Sequence, residues 1–381
     1  MADPAERQRS VLRIPRVEFD LSALAAGAIG WLAYQGSWPL LATFLGAPSA
    51  RALRDQFFGN VLRWLDLPYA ASFASRLTDA MQGLTGGGLS VWKCGIVAAW
   101  MLVLWSVVAG AIARIYAVRI ARDESIGVSA AFGFALSNLK QYVLAPVFVA
   151  LAAGCFLALA ALAGAVSAIP GLGPFVQIVA HPLALVAGLV VIVIAIGGVF
   201  GLPVMQAALA AERNGMLDAI SRTFSYVFTR PVVYALSAGI VTFVCDLITR
   251  FGIGFLDVTT RAMRFGAGWN TASPPAMDAE SAIGFGALAG KDDLALFSWP
   301  EPVHAEGIGV VGFYVAWFMT ALAAVAVHGY VLSYFVGGLT DIYFMLRRDV
   351  DGIDESEVYV EGAEPSLGQP VAGEPSGGKQ P

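Results

Sequence analysis

The chain has 381 residues, of which 57% are hydrophobic and 13% charged, with a net charge of −5 and a mean hydropathy of +0.70. Soluble domains carry about 25% charged residues, so much of this chain has no water to face. With an acidic balance and no basic run to suggest it, a nucleic-acid partner is not expected.

Residues 1–20 are polar and carry Arg7, Arg9, Arg13 and Arg16. An apolar stretch follows from Leu21 to about Leu45, longer than a cleavable signal core. It reads as an uncleaved anchor, although Ala47-Pro-Ser-Ala50 imitates a cleavage site. Gln35, Gly36, Ser37 and Pro39 interrupt it, so one span or two short pieces are both open.

Five further apolar runs follow, near 91–117, 143–169, 178–208, 232–256 and 309–341. Each exceeds the roughly 20 residues that cross a hydrocarbon core. The expected fold is therefore all-α: a polytopic bundle of about six helices spanning 21–346, with the lipid bilayer as its solvent. Outer segments are expected at 46–90 and 257–308, and an acidic, disordered tail at 347–381.

The connections carry their own patterns. Leu53, Phe57, Val61 and Leu65 recur at i, i+4 spacing, with Arg54, Asp55 and Arg63 between them, and predict an amphipathic helix at the outer interface. Pro170-Gly-Leu-Gly-Pro174 is turn chemistry. Trp269–Glu306 is rich in Gly, Pro and acids and reads as irregular. On the other side, Ser125–Gln141 places Ala131, Phe134 and Leu139 on one face. Arg213–Arg230 places Leu217, Ile220, Phe224 and Val227 in a stripe, with Asp218 and Arg222 as an i, i+4 pair elsewhere. Each reads as an elbow: a surface helix that bends into the next span. Sliding 122–155 by 90 residues sets Phe134 on Phe224, Lys140 on Arg230, Ala145 on Ala235 and Cys155 on Cys245, an architectural echo.

Lys and Arg near the helix ends divide thirteen to nine between the two sides. The excess accompanies both termini, which are expected to be cytoplasmic. An integral protein of a bacterial inner membrane is the expected setting.

Chemistry is sparse. No GxxxxGK[ST], HExxH or GxSxG is present. The three histidines, His181, His304 and His328, are far apart, as are Cys94, Cys155 and Cys245, which read as small core hydrophobes. No catalytic, metal or cofactor site is expected. Two places stand out. Gly197, Gly198, Gly201 and Pro203 predict either a helix break that binds a ligand or tight packing with a kink. Asp246 lies near mid-span, where it can pair with Arg250 one turn on or with His328 at the same depth on the last span.

Segments such as Ser221-Arg-Thr-Phe-Ser-Tyr-Val-Phe-Thr-Arg-Pro231 leading into a span resemble the elbow-and-hairpin layout of poorly characterised bacterial six-helix membrane proteins. The membrane region of some glycerophosphodiester phosphodiesterases is similar in layout. The resemblance implies a six-helix bundle and carries no catalytic residue. The expected role is a non-enzymatic membrane component that binds a membrane or peripheral protein. A small-molecule or ion transporter is the alternative, and it needs a polar lining that the second and third spans do not supply.

Overall fold

The computed structural model describes residues 19–65, 91–167, 171, 173–212, 215–268 and 308–353. Among them all regular secondary structure is α-helix. In chain order the helices are α1 (Leu21–Leu45), α2 (Ala50–Leu65), α3 (Val91–Arg122), α4 (Val128–Ser137), α5 (Leu139–Ser167), α6 (Gly173–Glu212), α7 (Met216–Thr229), α8 (Pro231–Gly268) and α9 (Ile308–Asp351). Five of them, α3, α5, α6, α8 and α9, contain stretches long and apolar enough to cross a membrane. The protein is a multi-pass α-helical bundle.

Helix α1 is one continuous helix despite Pro39. A Pro removes one backbone donor, and Thr43 donates its hydroxyl to the carbonyl of Pro39. Asp20 caps the helix by accepting from the backbone N–H groups of Ser22 and Ala23. Gly46 ends it with φ +63, the left-handed conformation that glycine adopts without strain. α1 is not among the five spans that length and composition alone identify. Its apolar face is nevertheless packed, with Ala23, Ala26 and Trp38 fully buried.

α1 crosses α9 at two glycines. A Cβ on Gly27 would sit 2.2 Å from the carbonyl oxygen of Gly329. Only glycine allows backbones so close. Beside the crossing, Trp31 stacks on His328 with ring centroids 4.6 Å apart. The amphipathic segment after α1 forms as expected: Leu53 and Phe57 of α2 are buried, and Phe57 and Phe58 lie against Trp38.

The two elbows form, with shifted faces. α4 buries Ala131, Phe134 and Ala135, while Leu139 belongs to the next helix. α7 buries Ala219, Thr223, Tyr226 and Val227. Leu217, expected on the buried stripe, is exposed, because the polar groups of α7 turn inward to partners described below. Arg213 lies outside the described residues, as do residues 1–18, 66–90, 269–307 and the tail beyond 353. The expected tail boundary at 347 falls inside α9, which continues to Asp351.

The core is not distributed evenly. One end gathers the start of α1, the ends of α3, α6 and α9, the starts of α5 and α8, and both elbows. There every residue of α6 from Val204 to Ala211 is buried, so that helix is enclosed on all sides. Towards the other end α5 and α6 stand apart as a hairpin arm. Between Ala150 and Ile196, Gly173 alone among the described residues is buried.

Candidate functional site

The enclosed end is built around Glu212. No Asp, Glu, Lys or Arg lies between Lys140 and Glu212 in the sequence, so this carboxylate ends a long apolar course. Its side chain is only 8% exposed. Oε1 lies 2.9 Å from Nε of Arg347 and 3.0 Å from an Nη of Arg222, and it accepts the hydroxyl of Tyr343 at 2.7 Å. Three helices thus converge on one oxygen: α6 supplies the acid, α7 and α9 the donors.

Arg222 extends the network. Its Nε donates to Asp218 at 2.9 Å, and its Nη1 lies 3.7 Å from Asp351. Tyr226, one turn on, donates to Asp351. Burial opposes the charge on Arg222, but Glu212 and Asp218 outweigh it and raise its pKa. Burial, and then the bond to Asp351, push the Tyr226 phenol above its ordinary value. Three carboxylates face two guanidiniums here: Glu212, Arg347 and Asp351 near the ends of α6 and α9, Asp218 in the first turn of α7 and Arg222 in its middle. Burial of charge in low dielectric is costly unless each ion is paired, and the pairing is what fastens α7 under the bundle.

Two smaller contacts complete this end. Asp20, while capping α1, also accepts from Arg119 at 2.7 Å and Ser125 at 3.1 Å, so one acid joins α1, α3 and the α3–α4 link. Arg114 is 5% exposed; it donates to the carbonyl of Ala210 at 2.8 Å and lies 4.3 Å over the ring of Phe134. The guanidinium thus ties α3 to α6 and roofs the first elbow.

The residues singled out in the sequence lie elsewhere and serve other ends. α6 runs unbroken through Pro203, so the ligand-binding helix break is not formed. The glycines instead seat neighbours: a Cβ would meet the Phe224 ring at 2.5 Å from Gly197, Val149 at 2.7 Å from Gly198, and Thr223 at 2.4 Å from Gly201. Gly197 and Gly201 are the cradle for the second elbow, and Gly198 seats α5. Asp246 pairs with Arg250 at 2.7 Å. His328 makes its contact at Nδ1 with the Ala324 carbonyl, at 2.8 Å, and stacks on Trp31. The inter-helix Asp246–His328 contact does not form: each group takes a partner within one helical turn or on α1.

The cysteines differ from one another. Cys245 is buried, Cys94 half-buried and Cys155 exposed on the arm, so the small-core reading does not hold for Cys155. The 90-residue echo likewise joins unlike surroundings, since Cys155 and Cys245 are its last pair. Among the described residues no cluster of three His, Cys, Asp or Glu could hold a metal.

The sequence signal that would have found the hub is the lone acid after the charge-free course, together with the Asp218/Arg222 pair that follows it and the Arg347/Asp351 pair at the end of the last helix. Taken together, fold and site define an α-helical multi-pass membrane protein with a buried charge network, centred on Glu212, at one end. No family model, curated protein or solved structure matches the chain.

Proposed function

We propose that the chain is a non-enzymatic membrane component that binds partner proteins within the bilayer, with both termini cytoplasmic, in the inner membrane of a bacterial cell. The arm of α5 and α6 carries this reading. Leu151, Leu157, Leu159 and Leu162 on α5 and Ile178, Leu185, Leu189 and Ile192 on α6 are each 48–72% exposed. A helix that is hydrophobic all round belongs inside a larger assembly or a membrane. The charged end supports the role of anchor: its ions hold one another, which makes it a rigid base for the arm. The orientation rests on the Arg excess beside both termini.

Purification in mild detergent followed by native mass spectrometry tests the reading. A stoichiometric partner is expected. It should be lost in Gly164→Ile with Gly188→Ile, where an added Cβ meets nothing within 4 Å, so the fold is kept while the arm's surface changes. A chain that purifies alone and carries ion or solute flux in proteoliposomes would establish the transporter instead.

A further inference from the structure

The Asp246–Arg250 pair is uncovered. Their side chains are 54% and 77% exposed, and both lie within the apolar stretch Pro231–Leu256. Asp246 is about 22 Å along α8 from Pro231 and about 15 Å from Leu256. Lipid tails satisfy neither charge, so an ion pair at this depth faces protein or water.

The same face of α8 carries a second, independent feature. Ala235, Gly239, Thr242 and Asp246 are all exposed and recur at 4–3–4 spacing, with Arg250 next in line. This is the period of a left-handed helix pair. Small residues at the first three positions let a second backbone come close, and a Cβ on Gly239 meets nothing within 4 Å. Large apolar side chains border the seam: Leu236, Phe243, Leu247 and Phe251 are exposed by 54–73%. The opposite face of α8 is occupied by α9, with Cys245 against the Val331 carbonyl and a Cβ on Gly252 reaching Val327 at 2.7 Å.

We infer that this seam is the interface of a homodimer, in which α8 of a second copy packs in parallel about a two-fold axis along the membrane normal. The charge pattern selects that occupant. The seam carries one acid and one base a turn apart, so it is neutral and complements itself at equal depth. Arg250 of each copy reaches Asp246 of both, as Arg222 reaches two acids, Glu212 and Asp218, at the charged end. The contact is separate from the α5–α6 arm and does not depend on what the arm binds.

The experiment counts subunits of the full chain in lipid bilayers by single-molecule photobleaching. It is paired with oxidative cross-linking of Thr242→Cys in a chain whose three native cysteines are replaced by serine or alanine. Wild type is expected to bleach in two steps, and Thr242→Cys to give a dimer band, since disulfides need Cα atoms within about 7 Å. Gly239→Leu should raise the apparent dissociation constant at least about tenfold while its thermal unfolding in detergent stays that of wild type. Asp246→Asn should also weaken the dimer. Single-step bleaching of wild type, or a Thr242→Cys chain that stays monomeric under oxidation or cross-links only to another protein, overturns the proposal.

Discussion

Arg347 Nε lies 2.9 Å from Glu212 Oε1, with side chains 5% and 8% exposed. They are separated by most of the second half of the chain and joined at the base of the bundle. Removing one member of such a pair strands a buried charge, at about 3–5 kcal/mol, whereas removing both strands none. Glu212→Ala and Arg347→Met should each lower the thermal midpoint strongly in detergent. The double variant should lose less than the sum of the two. Additive losses would show that the two charges do not depend on one another.

Arg222 spans Glu212, Asp218 and Asp351, although on the sequence it reads as half of a surface i, i+4 pair whose loss is mild. Arg222→Gln is expected to cost about 2–3 kcal/mol, within the range for charge-assisted bonds. Phe224→Asp should do comparable harm, by placing a charge against Gly197. If chemical denaturation finds Arg222→Gln within the range of surface substitutions, the network is not holding α7.

Tyr226 gives that network a pH signature. Its phenol is raised in the folded protein, by burial first and then by Asp351. A raised folded value means stability that is fully present below the unfolded tyrosine pKa, about 10, and lost as pH rises through the folded one. Stability of wild type should therefore fall more steeply above about pH 10 than that of Tyr226→Phe. Parallel alkaline profiles would remove Tyr226 from the linkage.

Glycine positions separate hard from soft contacts. At Gly27 the added Cβ meets backbone, at 2.2 Å, and nothing there can swing aside. At Gly201 it meets the Thr223 methyl, and at Gly239 nothing. Stability should fall most for Gly27→Ala, by about 1–3 kcal/mol or less for Gly201→Ala, and hardly at all for Gly239→Ala, read as the order of the thermal midpoints. A different order would place the α1–α9 crossing elsewhere.

Topology is testable directly. Reporters fused after Arg348 should be active when they require the cytoplasm and silent when they require the periplasm. The reverse pattern would invert the molecule and carry Glu212 to the outer side.

What the sequence determined alone is the class and the placing of elements. Uninterrupted apolar runs leave a chain in lipid no choice but helices, because every backbone polar group must be satisfied within its own segment. The helices therefore lie where hydropathy puts them, and local periodicity was enough to find both elbows and the amphipathic α2. The Asp246–Arg250 pair is also a local relation, at i, i+4. Tertiary structure decided the rest. Whether Pro39 broke a helix, which face of α7 turned inward, and what filled the notches at Gly197 and Gly201 depended on neighbours distant in sequence. The Glu212 hub is the clearest case. Its members come from α6, α7 and α9, and charged residues look alike in sequence whether they face water or one another. Only the convergence of three helices, which excludes water from that point, makes an ordinary row of acids and arginines into a single network.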